Sequence, residues 1–246
     1  MQFLTHPTVT LLSEPTFQEP RHLPVRWLGA GTSGERLAEF AGRLCYMSQR
    51  NPAARTTAEY LANIRKEGHG SVFEHSNYVL LLEGVSRSCT HELVRHRAGC
   101  AYSQLSQRYA DQQDAAIVVP PYYLDNPDLR PEFEFIVMQE LEAYRNFVAK
   151  HPRSPTESRA QRKAIREAAR AVLPPAVETK LVMTANVRAW RHVLTTRANP
   201  AADREIRRLA VTCLRVLQEA APRFFDDFEI YHSDGIEAAR PHYLKV

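Results

Sequence analysis

No long apolar run occurs in the 246-residue sequence. The longest, Tyr78-Val79-Leu80-Leu81-Leu82, falls far short of the about 20 residues that cross a bilayer, so no membrane partner is expected. The opening Met1-Gln2-Phe3-Leu4-Thr5 lacks a basic stretch followed by an apolar one, which predicts no secretory leader. Cysteine is sparse, and Cys45, Cys89, Cys100 and Cys213 show no C-x-x-C spacing. Such usage argues against a disulfide framework and for free thiols in a reducing, cytoplasmic setting. Repeats, low-complexity tracts and linkers are also missing, so one domain over 1–246 is expected. Charge of one sign is not in large excess. The net +4 is too modest to demand nucleic acid, and no nucleic-acid partner is expected. Hydrophobic residues at 44% and charged ones at 24% describe a globular chain rather than a disordered one.

What is present is arginine, gathered in 87–108, 153–170 and 188–208. Guanidinium forks within helical, partly apolar segments suit phosphates or carboxylates, which they meet through two parallel bonds.

Periodicity places the elements. Leu37, Phe40, Ala41 and Leu44 are spaced as one helical face over 35–46. Thr57 is expected to cap a helix over 58–67, which Gly68-His69 would end. Residues 77–86 read as a buried strand, and 88–97 as a helix with Cys89, Leu93 and Val94 inward. Further helices are expected over 128–150, 155–172, 187–197 and 201–221, and a strand over 177–184. The last helix places Ile206, Leu209, Ala210, Cys213, Leu214 and Leu217 on one stripe. Long helices with few, separated strands predict α+β rather than alternating βαβ.

Three motifs invite over-reading. Gly29-Ala30-Gly31-Thr32-Ser33-Gly34 spells G-x-G-x-x-G, a dinucleotide fingerprint. That fingerprint needs a preceding strand, for which only Val25-Arg26-Trp27-Leu28 is available, and a second strand downstream, where 47–58 is polar and turn-like. A loop leading into a helix N-terminus is the expectation. His91-Glu92-Leu93-Val94-Arg95-His96 nearly spells H-E-x-x-H, but Arg95 holds the second ligand position. On a helix His96 would point about 140° from His91, so no metal site is expected. The neighbouring Glu67, His69, Glu74 and His75 are expected to cap helices or hydrogen-bond in a polar cleft. Asp226-Asp227 would diverge by about 100° on a helix, which predicts a solvated helix end rather than an acid/base pair.

The chemistry-bearing constellation is Arg95-His96-Arg97, a short loop, then Tyr102-Ser103-Gln104-Leu105-Ser106-Gln107-Arg108-Tyr109. Arginines supply forked donors for an anion, and Ser and Gln supply donors and acceptors for an imide edge. A solvated basic helix end is the plain alternative.

The pattern resembles the flavin-dependent thymidylate synthases, whose signature is R-H-R, a short loop, then S-x-R-Y. The resemblance takes in Gly68 to His75, Ser86 to Leu93, Ala169 to Pro174, Asn186 to His192, Arg197 and Glu205 to Ala210, in the family's order over roughly 35–230. Eight residues separate Arg97 from Ser106, one more than usual, and the extra residue is expected to bulge beside Gly99.

The resemblance implies an α+β fold of the thymidylate-synthase-complementing-protein type, with a central, mainly antiparallel sheet and long helices. It implies a homotetramer with active sites at subunit interfaces. FAD is implied as the cofactor, NADPH as the reductant and 5,10-methylenetetrahydrofolate as the carbon donor for converting dUMP to dTMP. The implied FAD contacts are Ser71, Arg95, His96, Arg97, Asn186, Arg188 and His192. The implied dUMP contacts are Glu92, Arg95, Gln104, Leu105, Ser106, Gln107, Arg108 and Arg170. Arg197 matches the arginine that favours the ionised uracil N3. Cys100, beside the signature, is expected to be a bystander, because the cofactor carries out the hydride step. A basic RNA-binding module and a metal-dependent nucleotide hydrolase are the rival classes. The first lacks aromatics interleaved with its basic segments, and the second fails on ligand spacing.

Overall fold

The computed structural model describes residues 1–20, 22, 29–46, 55–151 and 154–245. The candidate strand over 25–28 and the turn-like 47–54 lie outside the described residues, as does Arg153 of the second arginine group. The elements run β1 (Phe3–Leu4), β2 (Thr8–Ser13), α1 (Ser33–Tyr46), α2 (Thr57–Glu67), β3 (Asn77–Ser86), α3 (Arg87–Leu93), β4 (Cys100–Gln104) and β5 (Ile117–Val118). They continue with α4 (Pro121–Asp125), α5 (Arg130–Ala149), α6 (Arg159–Ala169), β6 (Glu178–Asn186), α7 (Val187–Arg197), α8 (Arg204–Ala220), α9 (Pro222–Phe225), β7 (Phe228–Ser233) and β8 (Ile236–Pro241). Short 3-10 turns occupy Gly70–His75, Pro127–Leu129 and Arg170–Val172. The expected α+β class holds. One sheet has the order β2-β3-β6-β4, β1 pairs with β5 in parallel, and β7 with β8 form an antiparallel hairpin.

The chain forms two compact units. The first comprises Met1–Thr8, Leu82–Val94 and Ser103–Leu181, and the second Val9–Leu81, Arg95–Tyr102 and Val182–Val246. In the first, Ile117, Val119, Phe133, Val137 and Val177 make a core, with Leu141, Tyr144 and Ala169 beside it along α5 and α6. In the second, Phe73, Trp190, Leu194, Leu209, Leu214 and Phe224 are fully or almost fully buried. The Phe73 and Phe224 rings meet edge to face at 5.1 Å. The predicted stripe of α8 is buried at every position, from Ile206 to Leu217.

The same local device builds the start of α3 and of α7. A strand ends on a polar residue whose side chain caps the next helix. Ser86 accepts from the Cys89 N–H at 3.0 Å, and Asn186 Oδ1 accepts from the Ala189 N–H at 2.8 Å.

Several expectations need correction. The cap of α2 is Thr56, one residue earlier than read, in a capping box with Glu59. Gly68 ends α2 in the left-handed conformation, as expected. Helix α3 stops at Leu93, so Arg95-His96-Arg97 lies in the turn beyond it, and 100–104 forms a strand where a loop was expected. The face of α1 is inverted. Glu35, Glu39 and Arg43 are buried, whereas Leu44 is exposed. Partners explain this. Glu39 accepts from Arg43 at 2.7 Å and Thr57 at 2.6 Å, and Glu35 accepts from the Arg223 side chain at 2.7 Å. Glu35 also accepts from the Thr32 N–H at 2.9 Å, so the glycine-rich loop leads into a helix N-terminus that its own carboxylate occupies.

Asp227 is not solvated. It sits 5% exposed against the almost fully buried Arg191, with Nη1–Oδ1 and Nη2–Oδ2 bonds of 2.7 and 2.9 Å. Burial pushes its carboxyl up, but hydrogen bonds and charge from Arg191, helped by Arg65, hold it below the ordinary carboxylate range.

Candidate active site

Within the second unit, the R-H-R turn meets α7. Arg197, at the last position of α7, donates from Nε to His96 Nε2 at 2.8 Å. A guanidinium is donor only, so the bond fixes the lone pair of His96 on Nε2 and places its proton on Nδ1. Burial, then the charge of Arg197 and the neighbouring His192, push the His96 pKa down to about 4. His96 is therefore a neutral imidazole at pH 7. The His192 ring stands edge to face with it at 5.5 Å.

The backbone of the turn is anchored from both sides. Tyr102 donates its hydroxyl to the His96 carbonyl at 2.7 Å. The Asn186 N–H donates to the Gly99 carbonyl at 3.2 Å. Gly99 has φ of 70°, and a Cβ there would lie 2.7 Å from Asn186 Nδ2 and 3.0 Å from Ala189 Cβ. Gly99 is thus a left-handed glycine packed against the α7 cap. Arg95 and Arg97 are exposed on either side of His96.

Asn186 caps α7. Arg188 and His192 follow one turn apart on its exposed face, and Arg188 pairs with Glu74 at 2.6 Å. Glu74 and Ser71 both lie on the Gly70–His75 turn, which packs on α7, with Ser71 exposed. Every residue expected to touch the flavin therefore falls in this unit, together with Arg197.

Within the first unit lie Glu92, Gln104 to Arg108 and Arg170. The Gln104 amide donates to Thr90 Oγ1 at 2.9 Å and Thr179 Oγ1 at 3.3 Å, so its orientation is fixed. The Leu105 N–H donates to the Lys180 carbonyl at 2.9 Å, and the Leu105 side chain is exposed. The Ser106 carbonyl accepts from Tyr109 and Ala110, which folds Ser106-Gln107-Arg108 into a turn with Gln107 buried. Arg108 pairs with Glu167 at 3.3 Å. Glu92 is half-buried on the last turn of α3, and Arg170 follows the end of α6.

One contributor, Arg87, was not singled out from the sequence. Arg87 opens α3, where burial and then the charge of Arg170 lower its pKa, so two guanidiniums share one neighbourhood. Its signal was membership of the quoted Ser86 to Leu93 block. Tyr102 and Gly99, both within the signature region, act through backbone contacts that the residue pattern did not specify. Among the described residues, no group of three or more His, Cys, Asp and Glu is placed to hold a metal. Cys100 offers Sγ to the Ala98 carbonyl at 3.6 Å, and burial raises its thiol pKa, which disfavours a nucleophilic thiolate. No helix among the described residues is long and apolar enough to cross a membrane.

Comparison with known proteins identifies relatives of the chain. The family model "thymidylate synthase complementing protein" matches residues 28–223. A flavin-dependent thymidylate synthase from Mycobacterium sp. (strain JLS) is 46% identical over 241 residues, 94% of each chain. One from Mycobacterium tuberculosis (strain ATCC 25177 / H37Ra) is 45% identical over 237 residues, with the same coverage. The fold is similar to that of a UMP/dUMP methylase, PolB, from Streptomyces cacaoi, solved with 5-Br dUMP. The TM-score is 0.69 at 19% identity, over 92% of this chain and 96% of that one. The chain belongs to the thymidylate synthase complementing protein family.

Proposed function

We propose that the protein is a flavin-dependent thymidylate synthase that converts dUMP to dTMP. FAD is its cofactor, NADPH the reductant and 5,10-methylenetetrahydrofolate the carbon donor. The observation that carries the reading is the Arg197–His96 hydrogen bond, which ties the R-H-R signature to the end of α7. The donor set suits FAD. Arg95, Arg97 and Arg188 offer exposed forked donors for its phosphates, and Ser71 and Asn186 add smaller polar groups. The two imidazoles, His96 and His192, give planar surfaces, and His96 carries no charge at pH 7.

When bound, the reduced flavin supplies the hydride. The chain's residues bind and polarise the substrate. Arg108, Arg170 and the neighbouring Arg87 hold the nucleotide phosphate, where like charges in one place need an anion. Gln104, held by two threonine hydroxyls, and Gln107 read the uracil edge, with Glu92, Arg95, Leu105 and Ser106 completing the nucleotide contacts. Arg197 stands at uracil N3 and O4, where negative charge develops as C5 attacks the one-carbon unit. Its Nε edge is fixed by His96, so the guanidinium is oriented before substrate arrives. No cysteine nucleophile is required. The chain works as one functional domain in a cytoplasmic homotetramer with active sites at subunit interfaces, without nucleic-acid or membrane partners.

The test is the absorption spectrum after FAD addition and gel filtration. Bands near about 370 and 450 nm, at about one flavin per chain, are expected. A colourless protein that retains no FAD would remove the reading.

A further inference from the structure

A second cationic site lies in the first unit, and none of its residues is among those assigned to flavin. Arg108, Tyr109, Arg159, Arg162, Lys163 and Arg166 line a cleft of about 300 Å³. The Tyr109 ring gathers three of the cations. Arg108, Arg159 and Lys163 stand 5.6, 5.7 and 6.0 Å from its centroid. Arg166 donates to the Tyr109 carbonyl at 2.8 Å, which fixes the ring's backbone.

Two carboxylates form ion pairs among these five cations. Glu167 takes Arg108 at 3.3 Å and Lys163 at 3.5 Å, and Asp111 lies 3.9 Å from Arg166. The cleft therefore retains an excess of positive charge. Two of its cations, Arg159 and Arg162, also sit at the start of α6, where a helix disfavours them. The first turn of α6 holds no acidic residue and begins with Arg159, and Gln161 rather than Glu completes its capping box. Such an arrangement costs helix stability unless an anion offsets it.

The spacing indicates the kind of anion. Arg159, Arg162, Lys163 and Arg166 share one face of α6 and span about 10 Å along its axis. A single compact phosphate is satisfied by one or two guanidiniums. Charges strung along a flexible chain match a row of them. The row ends at Arg108, which also belongs to the turn assigned to the nucleotide.

We propose that this cleft binds the γ-linked glutamate carboxylates of a polyglutamylated folate, the tail of the carbon donor. The proposal rests on the folate reading above. Each contact is exposed and therefore weak, so binding needs several of them together. The phosphates of NADPH are the other source of similar charge.

The test compares mono- and pentaglutamyl 5,10-methylenetetrahydrofolate as donors for the FAD-loaded protein and for its Arg159→Ala/Arg162→Ala variant. In the unsubstituted protein the pentaglutamyl donor should show a KM about five- to tenfold lower, as two or three exposed pairs would give, with unchanged kcat. The double substitution should abolish that advantage and leave the KM values of the monoglutamyl donor, dUMP and NADPH unaltered. Equal KM values in the unsubstituted protein, or an advantage that survives the substitution, would overturn the proposal. A raised KM for NADPH in the variant would overturn it too, giving the cleft to the cofactor phosphates. Calorimetry with γ-linked pentaglutamate needs no turnover. It should show binding that weakens with salt and is lost in the variant. If no dTMP forms from any donor, the function reading fails, while absence of heat with pentaglutamate overturns the cleft assignment on its own.

Discussion

Arg197 and His96 define each other. The arginine fixes the tautomer of the imidazole, and the imidazole fixes one edge of the guanidinium. Removing Arg197 with alanine should abolish nearly all dTMP formation and leave a folded, FAD-binding protein. Wild-type-like turnover would remove Arg197 from the catalytic role. The same variant should raise the His96 pKa, read by NMR titration, from about 4 toward its ordinary value, with burial keeping it below that value. A folded pKa below the unfolded one means that the unfolded chain binds the extra proton. The His96 contribution to stability is therefore present above about pH 6.5 and is lost as pH falls from there toward about 4. At Cys100, alanine should retain activity, because its buried thiol has a raised pKa and no place in the proposed chemistry. Abolished turnover with FAD still bound would show that the thiol takes part.

At the scale of elements, legibility followed the source of the stabilisation. The bounds of α7 and the stripe of α8 were readable because local caps and an apolar period set them. The end of α3 was not. Residues 94–97 carry no helix breaker, and it is the pairing of β4 with β6 that draws the chain away. On α1 the apolar period pointed to the wrong face, because a hydrogen bond from Thr57 and ion pairs to Arg43 and Arg223 bury the polar one. The β7–β8 hairpin did leave a signal, Asp234-Gly235, with φ of 53° and 78° between paired strands. One tightly packed joint among these elements is Gly99. Gly99→Ala should cost about 1–3 kcal/mol in denaturant unfolding, through a strained φ and displacement of the Asn186 cap. FAD affinity should fall with it. Unchanged stability and affinity would mean that the close approach to Asn186 carries nothing.

At the scale of the whole molecule, charge does two different kinds of work. The arginines read together as ligand-binding proved divided. Arg191 is structural, enclosed with Asp227 and the carbonyls of Phe224 and Tyr243. Asp227→Ala would strand that buried cation and should cost about 3–5 kcal/mol. Arg240→Ala, which breaks an exposed pair with Glu229, should leave thermal unfolding almost unchanged. Equal effects would contradict the distinction. Sequence could not make this division, since a buried arginine and a ligand-binding one have the same side chain, and only partners in the fold separate them. What was legible was the order of family blocks; the residues expected to touch flavin fall in one unit and most of those expected to touch the nucleotide in the other. The central claim is that the hydride comes from flavin and not from folate. The most direct measurement is therefore of the folate product when the FAD-loaded protein converts dUMP with 5,10-methylenetetrahydrofolate and NADPH. Tetrahydrofolate should appear in step with dTMP, and dihydrofolate appearing in its place would contradict the account.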